Sequence, residues 1–459
     1  MLINFTVENW RSFRDKAELN LVASSREKRH TTRLLQPEGV GGLNLLPTAA
    51  IYGGNASGKS NLVKALAFAR QLITFGTSSH EIIGVDTFRL DDQFCQKPAR
   101  FGFAFLVPAV DNNGDATTDF ECYEYSFSVT STKICEEKLV QIVGETEELL
   151  FFRKAVAGSG YDVKYAPYIE KDGILHAVLE STRQNQLFLR NCADQNMDKY
   201  RTKSLARIYH WFENLFVIYP DTSYSPEGLW LILKNYDLKT HFFSTLSNLD
   251  TGISRLEFEY VTNTPVVESL KSELVRHNGT KIVAVHKSGN RYYVTRDGNS
   301  IECYRVISYH KDSRQHADVP FEFKDDSDGT IRIVDLLPFF LNASHNSGHV
   351  FVIDELDRSL HTLLVRRLLE LYLDSCRADF RSQIIFTTHD VLQMDQELFR
   401  RDEMWLTERK NDGSTELIPM SSFHEIQDDE SIRTSYLRGQ LGGIPRFLLI
   451  DRLDNPIMK

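Results

Sequence analysis

Apolar and polar side chains alternate at both 2–8 and 16–22. Ile3, Phe5 and Val7 are set against Asn4, Thr6 and Glu8, then Ala17, Leu19 and Leu21 against Lys16, Glu18 and Asn20. A period of two predicts paired strands, with the turn carried by residues 10–14. After a charged, glycine-rich loop at 24–42, Ala49-Ala50-Ile51-Tyr52 forms a short apolar run ending in Gly53-Gly54. Leu62, Leu66, Ala69 and Ile73 then recur at helical spacing over 61–76. The order is strand, glycine loop, helix. Residues 85–140 predict a meander of strands, including 101–107 and 123–130, broken by the turn cluster Asp111-Asn112-Asn113-Gly114-Asp115. The stretch 175–250 predicts helices interrupted by Pro220 and Pro226. Strand patterns return at 255–261, 281–286, 291–295 and 303–309, the middle two flanking a Lys287-Ser288-Gly289-Asn290 hairpin turn. Beyond Gly329 the texture alternates. A helix from Thr330, a strand over Val350–Ile353, a helix over 359–376, a strand over Gln383–Thr387, a helix from Val391 and a strand over 403–407 follow in turn. That rhythm predicts a largely parallel sheet with helices on its faces.

Composition narrows the class. The 459 residues predict about three compact units, and 42% hydrophobic with 25% charged residues excludes disorder and fibre. A formal net charge of −10 disfavours a general nucleic-acid coat. The longest apolar stretches, such as 336–341, are far below the roughly 20 residues of a membrane span. The first residues lack the pattern of a secretory signal, so residence in the cytoplasm is expected, with no membrane partner. The scattered cysteines, without zinc spacing, are expected to be reduced thiols, and a disulfide between Cys122 and Cys135 is not needed. His310, Asp312 and His316 lack the companions that would complete a metal site, so a solvated loop is expected there. Tyr123, Tyr125 and Phe127 alternate as sheet packing would require.

The octet Gly53-Gly54-Asn55-Ala56-Ser57-Gly58-Lys59-Ser60 matches G-x-x-x-x-G-K-[ST] at the predicted strand-to-helix junction. Glycines let backbone N–H groups turn inward around phosphates, Lys59 brings a charge to the outer phosphates, and Ser60 offers a hydroxyl to Mg²⁺. ATP and Mg²⁺ are therefore the expected ligands. Val350-Phe351-Val352-Ile353-Asp354-Glu355 is an apolar strand ending in two carboxylates, which predicts Asp354 on Mg²⁺ and Glu355 polarising the attacking water. Gln383-Ile384-Ile385-Phe386-Thr387-Thr388-His389 predicts a neighbouring strand that aims His389 at the same crevice as a γ-phosphate sensor.

The order of phosphate loop, long insertion, Ser327-Asp328-Gly329-Thr330 before a helix, Asp354-Glu355-Leu356-Asp357 and Thr388-His389 resembles an ABC-type ATPase head of the RecF/SMC branch. Val7-Glu8-Asn9-Trp10-Arg11-Ser12-Phe13 is similar to that branch's opening strand pair, and Asn61 follows Ser60 as it does there. The resemblance implies an α/β fold: an ABC-type P-loop ATPase head with an antiparallel β lobe and an α+β insertion. It implies that Ser327 and Gly329 form an abbreviated signature motif meeting the nucleotide of another subunit, that Asp357 is the D-loop aspartate, and that Arg11 lies close to the nucleotide. A plain helix N-cap explains Ser327 equally well. The expected division is 1–145 for the first part of the head, 146–300 for the insertion, 301–425 for the second part of the head and 426–459 for a C-terminal arm.

Ser359-Leu360-His361 and Tyr436-Leu437-Arg438-Gly439-Gln440-Leu441-Gly442-Gly443-Ile444-Pro445 further resemble the RloA-like ATPases of bacterial defence loci. That group includes the ATPase subunit of the PARIS anti-phage system. The resemblance implies a sensor ATPase that self-associates, responds to a phage protein and restrains or delivers a nuclease. Only about 70 residues follow His389, with no Asp-x-Asp pair after a strand and glutamate, so the Toprim-like nuclease is expected on a separate chain. The alternatives are a RecF/SMC-like ATPase acting directly on DNA and a transporter ATPase. The absence of sustained heptads in 145–300 weighs against the first, and the abbreviated signature against the second.

Overall fold

In the computed structural model, residues 1–111, 116–158, 160–167, 173–195, 203–220, 232, 236–249, 251–262, 265–276, 281–285, 290–297, 300–311, 318–345, 348–423 and 432–443 are described. Three sheets organise them. The first is antiparallel, in the order β2-β1-β4-β5-β6-β7-β8. Its strands are β1 (Leu2–Glu8), β2 (Ala17–Asn20), β4 (Ala99–Val110), β5 (Ala116–Val129), β6 (Ile134–Val143), β7 (Thr146–Ala155) and β8 (Tyr161–Tyr165). The second has the order β18-β17-β3-β16-β15-β9. It contains β3 (Thr48–Gly53), β9 (Leu215–Ile218), β15 (Val350–Ile353), β16 (Gln383–Thr387), β17 (Met404–Arg409) and β18 (Thr415–Pro419), all parallel except β18. The third joins β10 (Ile253–Tyr260), β11 (Lys281–Val285), β12 (Arg291–Asp297), β13 (Ser300–Lys311) and β14 (Asp318–Glu322).

The period of two along β3 explains the layering. Ala49 and Ile51 face one core, shared with the Lys59–Thr74 helix, the Lys203–Glu213 helix and the inner face of the first sheet. Ala50 and Tyr52 face the other, shared with the helices Asp328–Ser344 and Thr362–Leu373. All six residues of β3 are buried, as expected of a central parallel strand covered on both faces. A smaller core under the third sheet packs Val267 and Leu274 of the Pro265–Arg276 helix against Val294 and Cys303. Among the described residues no helix is long and apolar enough to cross a membrane.

The structure departs from the sequence reading at particular elements. The first sheet runs on through β7 and β8 to Tyr165, past the division expected at 145, because β6 pairs with β7 from Val143↔Thr146 onward. β9 lies in the stretch expected to be helical. Its four residues are too few to show a period, and pairing with β15 from Val350↔Leu215 to Ile353↔Ile218 makes it a strand. The helix expected from Val391 is a single 3₁₀ turn, Val391–Gln393, capped by Asp390. Asp395 stops it by accepting from the Glu397 N–H and pairing with Arg366 at 2.7 Å. His310 lies on β13 rather than in a solvated loop, its Nε2 2.9 Å from Asp326 Oδ1. Asp312, His316, Pro226, the turn residues 112–115 and 287–289, and all of the arm except 432–443 lie outside the described residues. All six cysteines are free thiols, and Tyr123, Tyr125 and Phe127 are buried in sheet packing.

Candidate active site

The parallel strands β3, β15 and β16 end side by side, which opens a crevice at their carboxyl ends. The octet lies there. Gly53 (φ 152°) and Gly58 (φ 113°) occupy backbone conformations suited to glycine. A Cβ at Gly53 would collide with Thr407, and one at Gly58 with Thr415, so β17 and β18 press directly on the loop. Ser57 Oγ lies 2.6 Å from Thr407 Oγ1, and Thr415 Oγ1 donates to the Ser57 carbonyl at 2.8 Å. Ala56 is held left-handed at φ 58°, and a non-glycine residue there costs about 1–3 kcal/mol. Such loop strain fits a cradle whose N–H groups face a ligand.

Lys59 is buried at the start of its helix and donates to the carbonyls of Gly53 (2.7 Å) and Gly54 (3.0 Å). Burial lowers its ammonium to about 8, against the pull of Asp354, Asp357 and Glu355. His389 Nδ1 lies 3.3 Å from Lys59 Nζ. Because an ammonium only donates, Nδ1 accepts and the imidazole proton sits on Nε2. Burial and the Lys59 charge hold His389 below the usual histidine range, so it is neutral at pH 7.

Asp354, at the end of β15, is 3% exposed, and its Oδ1 accepts from Ser60 Oγ at 3.1 Å and from Thr387 Oγ1 at 2.6 Å. The Thr387 oxygen in turn accepts from the Glu355 N–H at 2.8 Å. Glu355 adopts φ 48°, a left-handed conformation, and its carboxylate lies 3.7 Å from Arg358. The Asp357 carboxylate accepts from the His389 N–H at 3.3 Å. A hydroxyl and a carboxylate with hard oxygen donors fit Mg²⁺, which takes few protein ligands and completes its shell with phosphate and water. The described residues contain no larger cluster of metal-binding side chains.

The other expected residues lie at the margins. Ser327 caps the Asp328–Ser344 helix, accepting from the Thr330 N–H at 3.1 Å, and a Cβ at Gly329 would stand 2.7 Å from the Ser359 carbonyl. Among the described residues, no hydrogen bond joins Ser327 or Gly329 to the phosphate loop. Arg11 (φ 48°) lies over Trp10 and 3.5 Å from Asp86, lining a cavity of about 330 Å³ with Ser12, Ala56, Asn61 and Arg409. The Asn61 amide donates to Ser12 Oγ at 2.8 Å, which ties the loop's helix to the opening turn. Asn55 lies exposed in the loop. Sequence reasoning missed Thr387, Thr407, Thr415 and Arg332. The polar end of β16 signalled the first, and an arginine within the otherwise largely apolar helix Asp328–Ser344 could have signalled the last. It also missed that the Gly443 carbonyl, held by Tyr436 OH at 3.0 Å, accepts from the Gly54 N–H at 2.8 Å.

A family model described as "AAA domain, putative AbiEii toxin, Type IV TA system" matches residues 49–395. The chain belongs to this family. The match runs from β3 to just beyond His389, enclosing Lys59, Asp354 and Glu355, and the AAA-domain protein is an ATPase with a P-loop head. Three solved structures are among those similar to the chain. The SMC head domain from Thermotoga maritima shows 12% identity over 91% of this chain and 98% of that one, with a TM-score of 0.36. An SMC head bound to the C-winged helix domain of ScpA shows 13% over 93% and 99%, with a TM-score of 0.39. An Smc head with an extended coiled coil, bound to the C-terminal domain of ScpA derived from Pyrococcus furiosus, shows 13% over 91% and 95%, with a TM-score of 0.36. No curated protein matches the chain.

The depressed Lys59 ammonium gives the AAA-domain ATPase a pH signature. Phosphates favour the charged form, so the bound-state value lies above the free value of about 8. Affinity is therefore at its full value below pH 7. It falls by up to about tenfold per pH unit as the pH rises past the free value, until the bound value is passed. Calorimetry near pH 8 in two buffers of different ionisation enthalpy is expected to show proton uptake on ATP binding. Uptake of zero across pH 7–9 would remove Lys59 from the phosphates.

Proposed function

We propose that this ATPase is the nucleotide-driven switch of a bacterial anti-phage defence system, resembling the AriA subunit of PARIS, and that it pairs head to head and holds or releases a separate Toprim-like nuclease in response to a phage protein. The observation that carries the pairing is the placement of Ser327 and Gly329. Gly329 lies against the Ser359 carbonyl and Ser327 is exposed, and among the described residues neither bonds its own phosphate loop, which suits them to meet a second copy's nucleotide. The toxin context in the family's description supports the defence setting. The insertion at about 145–300, or the arm around Tyr436–Pro445, is the surface proposed for the partner.

Within the site, Asn55, Ala56, Ser57 and Gly58 wrap the phosphates with backbone N–H groups, and Lys59 leaves the carbonyls of Gly53 and Gly54 to meet the outer phosphates. Mg²⁺, when bound, supplies charge that steadies the phosphate oxygens, with Ser60 and Asp354 holding it. Glu355 takes the proton of the attacking water, while His389 donates from Nε2 to the γ-phosphate. Asp357 holds His389 in place through its backbone N–H. Arg11 closes the cavity beside Ala56, on the side proposed for the rest of the nucleotide.

Co-expression with the neighbouring gene, followed by size-exclusion chromatography, is expected to give a stable complex with a nuclease that ATP turnover releases. A protein that purifies alone from that operon, and binds DNA with affinity falling steeply with salt, would replace this reading with direct action on DNA.

A further inference from the structure

Arg332 lies a turn beyond Gly329 on the Asp328–Ser344 helix and is 6% exposed. Its Nη2 donates to the carbonyls of both Asp354 and Glu355 at 3.4 Å, and its Nη1 donates to the Tyr219 carbonyl at 3.4 Å. Among the described residues its Nε is buried without a hydrogen-bond partner. The neighbouring carboxylate on the same helix, Asp335, is engaged by both Nη groups of Arg291. Burial accordingly holds the Arg332 guanidinium below the ordinary arginine value, despite Asp335, Glu355 and Asp354 nearby. A desolvated cation served by three long bonds and one orphaned N–H is a poor stabilising element, and an apolar side chain of similar volume would suit the position as well or better.

What the guanidinium holds is the strained backbone of the catalytic strand end. Glu355 stays left-handed at φ 48° under three grips: its N–H on Thr387, and its carbonyl under both the Arg358 N–H at 3.1 Å and Arg332. The preceding Asp354 N–H is fixed to the Ile218 carbonyl at 2.8 Å. Without the Arg332 grip the Glu355 carbonyl keeps only the turn bond from the Arg358 N–H at 3.1 Å, and the backbone can shift within that turn, carrying the carboxylate away from the water it must deprotonate. The same side chain belongs to the helix that Ser327 caps, so a shift of that cap is transmitted to Glu355 through one rigid fork.

We propose that Arg332 is a positioning residue of the ATPase, a fork that clamps the Asp354 and Glu355 carbonyls and links the Ser327-capped helix to the water-activating carboxylate. The proposal rests on Glu355 acting as the base, as proposed above.

Four proteins test it: Arg332→Met, Arg332→Lys, Glu355→Gln and the double variant Glu355→Gln with Arg332→Met. For Arg332→Met, kcat is expected to fall about 10- to 100-fold while KM and the ATP dissociation constant stay within about threefold. The thermal midpoint without nucleotide should be equal to or above that of the wild type, which a merely structural arginine would not allow. Arg332→Lys, which keeps a cation but loses the fork, should lie between the two in kcat at unchanged affinity, and it carries the test if the methionine variant does not fold. The double variant should hydrolyse no more slowly than Glu355→Gln alone, because both changes act through one group. Wild-type kcat in Arg332→Met or Arg332→Lys, a loss confined to KM, or additive losses in the double variant would overturn the inference. Wild-type turnover in Glu355→Gln removes the reading beneath it, an outcome distinct from a fast Arg332→Met beside a slow Glu355→Gln.

Discussion

Glu355→Gln protein is expected to bind ATP as tightly as the wild type and to hydrolyse it about 10²–10⁴ times more slowly. The amide keeps the shape of the side chain and leaves the backbone grip of Thr387 on the Glu355 N–H untouched. It cannot accept a proton from water. Asp354, which meets Ser60 and Thr387, is unchanged, so the proposed Mg²⁺ ligands stay intact. Single-turnover assays should therefore show normal binding and a stalled chemical step. ATP-loaded protein should accumulate as paired heads on size-exclusion chromatography. Hydrolysis at the wild-type rate would move the base elsewhere, first to His389, whose imidazole is neutral at pH 7 and close to Lys59.

The second large effect is at Lys59. Lys59→Ala is expected to weaken ATP binding on the order of 10²–10³-fold, the scale of losing a desolvated charge pair at an interface. The fold should survive, because burial already disfavours the Lys59 ammonium and its partners in the free protein are two loop carbonyls and the His389 ring. Two measurements separate binding from folding. Labelled ATP should bind on the order of 10²–10³-fold more weakly at equilibrium, and the rise of the thermal midpoint with added ATP should shrink accordingly while its nucleotide-free value holds. Undiminished affinity in folded Lys59→Ala would remove the basis for reading this crevice as the nucleotide site.

The legible parts of the molecule are those written in short windows. Strand β3, its loop and its helix stand within 27 residues, Thr48–Gly53 to Lys59–Thr74, and glycines with a lysine at fixed spacing mark the geometry. Val350–Ile353 was readable because an unbroken apolar run meets two acids, and Gln383–Thr387 because a similar run ends in polar residues. The adjacency of those strands and the approach of His389 to Lys59 followed from the parallel rhythm. What stayed hidden depends on partners far along the chain. β9 is a strand through β15, and no window around Leu215–Ile218 contains β15. Thr415 supports the loop from 358 positions beyond Ser57, and nothing near Thr415 announces a nucleotide. Arg332 reads as a helical arginine until Asp354 and Glu355 are folded over it.

The hydroxyl of Thr415 touches both Ser12 Oγ and the Ser57 carbonyl, and its N–H reaches the Ser12 carbonyl. This places parts of the chain 403 and 358 positions apart around one loop of eight residues. During synthesis at roughly 5–20 residues per second, the interval between making Ser57 and making Thr415 is roughly 20–70 s. Throughout that interval the phosphate loop lacks the strand that shapes it, and the contact from Gly443 comes later still. The loop thus reaches its native shape only after β18 has been made. A chain interrupted before β18 lacks the Thr415 contacts that shape the phosphate loop.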